Sequence, residues 1–110
     1  MKVYFDYKGE IPTGVQVMRE GIITRIYFDY ATEEKEMNDE NVTFLTAENV
    51  DIEGAVEYGK IVSAIVRDRY TADDVEAILA NFADKGSDET YEAFQSWRNR
   101  AKEIAHAVTD

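Results

Sequence analysis

The spacing of apolar residues changes near residue 50 of this 110-residue chain, and this change constrains the fold more than any other feature. Before that point apolar and polar residues alternate with the period of two that is typical of half-buried strands. From about Asp51 apolar residues recur every three to four positions, as on one face of a helix. The pattern predicts an α+β fold: a small antiparallel β-meander of about four strands, followed by three α-helices. We expect a single domain over residues 1–110, with a β-rich half (1–50) and an α-helical half (51–110).

Four short segments carry the strand pattern: residues 2–7, 15–18, 22–31 and 42–47. The third is the strongest because the residues predicted to share one face are all β-branched or aromatic: Ile22, Thr24, Ile26, Phe28 and Tyr30. We expect a tight turn centred on Glu20 and Gly21. The polar and mostly acidic segment that follows the third strand, residues 32–41, predicts a solvated connection. Consecutive short strands favour antiparallel pairing, since parallel neighbours would need crossover helices.

Cap signals divide the second half into three helices. The first is expected to run from about Asp51 to about Arg69. Thr71 can cap the second helix through its hydroxyl. Lys85-Gly86 is typical of a helix end, and Ser87-Asp88-Glu89 begins the third helix. The apolar stripe of the third helix predicts a core contact that includes Tyr91, Phe94, Trp97, Ala101, Ile104, Ala105 and Val108.

The composition excludes several classes of partner and site. The chain has 12 Lys and Arg residues against 23 Asp and Glu residues, a formal net charge of −11. Such a surface repels phosphate backbones and anionic lipids, so we expect no nucleic-acid partner and no membrane partner. The absence of cysteine excludes disulfides, thiol catalysis and cysteine-ligated metals. No targeting segment is recognised, which favours a cytoplasmic location.

Three patterns suggest a ligand site but have simpler explanations. Gly54 to Lys60 has the glycine and lysine spacing of a phosphate loop, yet Ile61 stands where a hydroxyl should bind magnesium. We therefore interpret it as a helix start where Gly54 and Gly59 permit close packing. The acidic run 33–40 lacks the central glycine of a calcium loop, which favours a solvated loop. His106 is the only histidine and lies where a helix dipole favours a cation. We expect no catalytic residues, no cofactor and no metal site, and thus no enzyme.

The second face of the predicted sheet is not cleanly polar. If the strand registers bring them together, five side chains on that face could form one apolar surface: Tyr4, Met18, Ile23, Tyr27 and Leu45. A single layer of helices covers only one face of a sheet. Either the helices wrap around and bury these side chains, or the side chains meet a second subunit or another protein. They are the candidate partner surface.

Residues Val62–Phe82 and Tyr91–Arg98 resemble the C-terminal half of small uncharacterised proteins encoded in prophages of gut anaerobic bacteria. The segment Phe94–Arg98 also faintly resembles the end of phage tail-fibre assembly chaperones. The similarity covers roughly residues 60–105. It implies an assembly role and supplies no catalytic residues.

The sequence and the resemblance therefore predict a non-enzymatic protein-binding or assembly protein of phage or prophage origin. We expect a protein partner or self-association, through the sheet face or a helical edge. The alternative is an acidic nucleic-acid mimic that inhibits a DNA-binding protein by presenting carboxylates where phosphates would lie. The mimic requires a continuous track of carboxylates on one face. A small acid-base enzyme would instead require a deep pocket with convergent polar groups.

Overall fold

The computed structural model describes residues 1–110 and contains four antiparallel strands followed by three helices, which confirms the predicted α+β class. The elements are β1 (Lys2–Asp6), β2 (Gln16–Glu20), β3 (Ile23–Met37), β4 (Glu40–Glu53), α1 (Tyr58–Arg69), α2 (Ala72–Lys85) and α3 (Glu89–Thr109). The chain forms two compact units, Met1–Gly54 and Ala55–Asp110. The first holds the sheet and the second holds the helices.

The strand order is β1-β4-β3-β2, so the predicted meander is correct for β2, β3 and β4 and wrong for β1. β1 lies beside β4 at one edge of the sheet, with Val3 opposite Ala47 and Phe5 opposite Leu45. The connection between β1 and β2 spans residues 7–15 and contains Pro12, the only proline. A connection of this length is not a tight hairpin turn, and it leaves β1 able to pair with the far side of the sheet.

The acidic segment 32–41 is strand and turn rather than a solvated connection, which corrects the prediction. β3 continues to Met37, and β4 begins at Glu40. Asn38 and Asp39 between them have φ values of 51° and 64°, the left-handed pair that a type I′ turn requires. The acids of β3 in this hairpin lie opposite uncharged residues, for example Glu34 opposite Thr43. Pairing therefore opposes no like charges, and a polar composition does not prevent strand formation.

A β-bulge in β3 changes which side chains share a face. The register shifts between Phe28 and Ala31, where Asp29 adopts a φ of 51°. Thr24, Ile26 and Phe28 are buried on one face as predicted. The bulge turns Tyr30 to the opposite face, where it lines a cleft with Phe5 and Leu45. The extra residue of a bulge breaks the alternation at that point, so the prediction for Tyr30 is wrong.

The β2–β3 turn is displaced by one residue from its predicted position. Glu20 pairs with Ile23, which places Gly21 and Ile22 in the loop. Gly21 has a φ of 61°, and Ile22 has no positive φ. This is the pattern of a type II′ turn, which favours glycine at its first central position. Ile22 is consequently 64% exposed and does not join the buried face of β3.

The two faces of the sheet differ in burial. The core face is defined by the buried residues Ile26 and Phe28 of β3 and Val50 and Ile52 of β4. Because Ile52 lies opposite Thr24 and continues the strand alternation, residues 51–53 belong to β4. The expectation that helical structure begins at about Asp51 is therefore wrong, and α1 begins at Tyr58.

The helix boundaries after α1 follow the predicted cap signals. The Thr71 hydroxyl accepts a hydrogen bond from the Asp74 N–H at 3.1 Å, and the Asp74 carboxylate accepts one from the Thr71 N–H at 2.9 Å. These two bonds form a capping box at the start of α2. Gly86 ends α2 with a φ of 81°. Asp88 caps α3 by accepting a 2.8 Å hydrogen bond from the Tyr91 N–H.

The helical unit is centred on the packing of α1 against α3. Five residues of α3 are buried: Phe94, Trp97, Ala101, Ile104 and Ala105. The indole Nε1–H of Trp97 donates a 2.9 Å hydrogen bond to the main-chain carbonyl of Ile65 in α1. The guanidinium of Arg69 lies 3.4 Å from the centre of the Trp97 ring. Helix α2 buries only Ile78.

Candidate protein-binding site

The five residues predicted for the partner surface lie on both faces of the sheet. Met18, Tyr27 and Leu45 line one shallow cleft, and Ile23 lines a cavity beside it. Tyr4 lies on the other face, because it is directly opposite Thr46, next to Leu45 along β4. We name the whole face of the sheet that carries Phe5, Met18, Tyr27 and Leu45 the open face.

Phe5 takes the place that was predicted for Tyr4. It lies opposite Leu45 and contacts Tyr27 edge to face, with ring centroids 5.7 Å apart. Alternation in β1 does put Tyr4 and Phe5 on different faces. It does not say which face belongs to the core, because both faces of this strand carry an aromatic residue. The register with β4 places Phe5 on the same face as Leu45 and Tyr4 on the other face.

The aromatic cleft of the open face has a volume of about 270 Å³. Its lining comes from all four strands and from the β1–β2 connection: Phe5, Pro12, Gln16, Met18, Tyr27, Tyr30 and Leu45. Met18 is 62% exposed and Phe5 is 38% exposed, so large apolar surfaces face solvent here. Partial burial, together with the neighbouring Tyr27, raises the pKa of Tyr30 above its ordinary value. The Tyr30 hydroxyl is therefore a neutral hydrogen-bonding group at physiological pH.

A second cavity of about 220 Å³ adjoins the cleft and shares Met18 and Tyr27 with it. Arg25 lies in its wall and forms a two-bond ion pair with Asp51 of β4, with distances of 2.8 Å (Nε to Oδ1) and 3.1 Å (Nη2 to Oδ2). The hydrogen bond from Arg25 holds the pKa of the Asp51 carboxyl below its usual range. Met18, Arg25 and Asp51 are directly opposite one another on three adjacent strands. The ion pair thus fixes the polar end of the open face.

Carboxylates extend the open face toward the β3–β4 turn. Thr32 lies opposite Leu45, so alternation places Glu34 and Glu36 on the open face. β2 contributes Glu20 to the open face, because Glu20 lies two residues after Met18 on that strand and so points the same way. The open face is therefore an apolar surface with an acidic margin.

The other predicted features do not contribute to this face. Ile61, at the hydroxyl position of the phosphate-loop pattern, is fully buried. A Cβ on Gly59 would meet no atom within 4 Å, so the expected close packing at this glycine is wrong. His106 lies in the last turn of α3, where its ring is 4.7 Å from that of Tyr58 and its Nδ1 is 3.1 Å from an Asp110 carboxylate oxygen.

Two further observations concern metals and membranes. The His, Asp and Glu side chains form no group of three or more that could hold a metal ion. None of the three helices combines the length and the apolar composition of a membrane-spanning segment.

The chain was also compared with protein-family models, curated proteins and solved structures, and none of the three comparisons found a match. The resemblance of residues 60–105 to prophage proteins and to tail-fibre assembly chaperones therefore stays a prediction.

Proposed function

We propose that this chain is a non-enzymatic protein-binding or assembly protein whose open face docks a protein segment with apolar side chains flanked by lysine or arginine. The observation that carries the proposal is the exposure of Met18 and Phe5 around a cleft built from all four strands. Contiguous exposed apolar surface on a small protein is typical of an interaction site.

The apolar part of the partner follows from the cleft. Met18 and Phe5 retain 62% and 38% of their surface in water, and their burial would contribute about 1–2 kcal/mol each. Tyr27 and Tyr30 present rings with a hydroxyl at the edge, a combination common in protein interfaces. The shallow cleft suits side chains of an extended segment better than it suits a small molecule enclosed on all sides.

The basic part of the partner follows from charge. The chain carries a net charge of −11, and Glu20, Glu34 and Glu36 lie at the margin of the open face. Opposite charges across an interface accelerate association and select the partner. Arg25 is paired with Asp51 and so adds little net positive charge to the surface.

A displayed library of random peptides, selected on the immobilised protein, tests this proposal. We expect enriched peptides in which apolar residues alternate with or adjoin Lys or Arg. Met18→Asp should weaken their binding at least about tenfold, since it places a charge in the apolar cleft. Val17→Asp is the matched control, because Val17 is the adjacent residue on β2, is 50% exposed and points to the other face.

The proposal fails if no peptide is enriched, or if Met18→Asp binds the enriched peptides as well as Val17→Asp does. Met18→Asp also distinguishes the alternative, whereas replacement of Glu34 and Glu36 by Gln should weaken binding in both cases, because these carboxylates belong to the margin of the proposed site. An acidic nucleic-acid mimic would lose its target, a DNA-binding protein, on this replacement and would be indifferent to Met18→Asp. The mimic stays a prediction that this pair of variants addresses.

A further inference from the structure

The outer edge of β1 has an unpaired set of main-chain groups. β1 is the terminal strand of the sheet and pairs only with β4. Met1 and Asn49 exchange both main-chain hydrogen bonds, each 2.9 Å long. In an antiparallel pair such two-bond positions alternate with positions whose groups point away. The N–H and C=O groups of Val3 and Phe5 therefore point toward β4, and those of Lys2, Tyr4 and Asp6 point outward.

The side chains of β1 are complementary to a reversed copy of the same strand. When two β1 strands run antiparallel with Tyr4 opposite Tyr4, Lys2 of each strand lies opposite Asp6 of the other. Val3 then lies opposite Phe5. Cross-strand pairs of opposite charge and of apolar residues both stabilise a sheet. This register also pairs all five residues of the strand and matches the three outward-pointing residues with one another.

Other registers and the other edge are less favourable. A shift that puts Phe5 opposite Phe5 sets Lys2 against Lys8, which opposes like charges. At the β2 edge, the corresponding register about Met18 sets Arg19 opposite Val17 and Glu20 opposite Gln16, so no opposite charges meet. β1 is the edge whose charge pattern fits a second copy of the chain.

We propose that this chain forms a two-fold symmetric dimer in which β1 strands of two copies pair antiparallel about Tyr4, making one continuous eight-stranded sheet. The pairing supplies six main-chain hydrogen bonds, two at each of the three outward positions. The association closes at two copies, because the two-fold axis uses both β1 edges. A five-residue strand pair buries little area, so we expect a concentration-dependent dimer rather than a permanent one. The pairing uses the main-chain edge of β1 and shares only Phe5 with the open-face cleft, and the inference does not rest on the proposed function.

Charge-reversed variants test the register directly by sedimentation velocity at concentrations up to about 1 mM. In a dimer of Asp6→Lys, the new lysine of each copy lies opposite Lys2 of the other. In a dimer of Lys2→Glu, the new glutamate of each copy lies opposite Asp6 of the other. Like charges then face each other, so each variant should raise the dimer Kd at least about tenfold. An equimolar mixture of the two variants should associate again, because every cross-strand pair is then of opposite charge. A misfolded variant would not recover in the mixture.

Two proline variants test the edge independently of charge. Tyr4→Pro removes an outward N–H of β1 and should abolish the dimer with little effect on the circular dichroism spectrum, since proline is tolerated at an outward edge position. Val17→Pro is the control on β2. The closing pair of the two-residue turn, Glu20 and Ile23, sets the alternation that points the Val17 N–H outward. Val17→Pro removes only this outward N–H of β2 and should therefore leave the dimer intact.

Amide exchange measured by NMR gives the third readout. Protection of the Lys2, Tyr4 and Asp6 amides should rise with protein concentration, while Val3 and Phe5 stay protected throughout. The inference is overturned if the chain remains monomeric up to about 1 mM, if the charge-reversed mixture associates no better than its components, or if Val17→Pro rather than Tyr4→Pro removes the dimer. Met18→Asp should leave the dimer Kd within about twofold, so failure of the dimer and failure of the proposed function are separate results.

Discussion

Removal of the Trp97 indole hydrogen bond should lower the unfolding free energy of the helical unit by about 0.5–1.5 kcal/mol. Trp97 is 6% exposed, and its Nε1–H bonds to the Ile65 carbonyl of α1 at 2.9 Å. Ile65 lies four residues before Arg69, so its carbonyl is also positioned to accept a bond within the helix. Loss of the indole donor then costs about 0.5–1.5 kcal/mol, rather than the larger cost of an orphaned carbonyl.

Trp97→Phe also removes ring volume. The smaller side chain leaves a cavity of about 40 Å³, which adds about 1 kcal/mol at the usual cost per unit of cavity volume. Contact with the Arg69 guanidinium weakens because phenyl is a poorer partner than indole, a further few tenths of a kcal/mol. We expect the free energy of unfolding to fall by about 1.5–3 kcal/mol in total.

Urea denaturation followed by circular dichroism at 222 nm measures this loss, with the urea dependence of the unfolding free energy unchanged. A benzothienyl-alanine at position 97 is the matched control, since sulfur replaces the N–H while the ring size is retained. It should cost about 1 kcal/mol. A loss below about 0.3 kcal/mol for the benzothienyl variant would show that the hydrogen bond adds nothing, and a loss below about 0.5 kcal/mol for Trp97→Phe would refute the packing account as well.

Four further outcomes are expected. Thr71→Ala should lower the unfolding free energy by about 1 kcal/mol in urea titrations, because it breaks the capping box of α2. Gly86→Ala should cost about 1 kcal/mol by the same assay, since a Cβ is strained at a φ of 81°. The pKa of Asp51 is lowered in the folded state, so the ionised carboxylate stabilises the fold at pH values above its unfolded pKa. This stabilisation is lost as the pH falls through the folded pKa. Asp51→Asn should therefore flatten the acid part of the plot of unfolding free energy against pH. The raised pKa of Tyr30 predicts that Tyr30→Phe removes a component above the ordinary tyrosine pKa from the absorbance titration of tyrosinate.

The helix termini were predictable because their determinants are local. Thr71, Gly86 and Asp88 act on main-chain groups within a few residues, and the sequence pattern of a cap contains all of its partners. The core stripe of α3 was predictable for the same reason, since spacing of three and four residues places Phe94 and Trp97 on one side without reference to the rest of the chain.

Strand order and face were less predictable because they depend on distant partners. Alternation in β1 separates Tyr4 from Phe5 but does not reveal that β4 is the neighbour, and so the sequence placed Tyr4 rather than Phe5 on the candidate surface. The bulge at Asp29 turns Tyr30 to the open face after a run that alternates regularly. In the β3–β4 hairpin, composition favoured a loop, whereas the left-handed turn at Asn38 and Asp39 allows polar strands to pair.

The pairing of β1 with β4 also has a consequence for biosynthesis. Asp6 is translated about 40 residues before Glu48, and at ordinary rates of about 5–20 residues per second β1 waits on the order of seconds for its partner. During that interval β2 and β3 can form their hairpin without β1, while the main-chain groups of Val3 and Phe5 have no strand to pair with. β1 is therefore made before the other strands but cannot gain its main-chain partner until β4 has been made, and its side chains stay largely exposed even then.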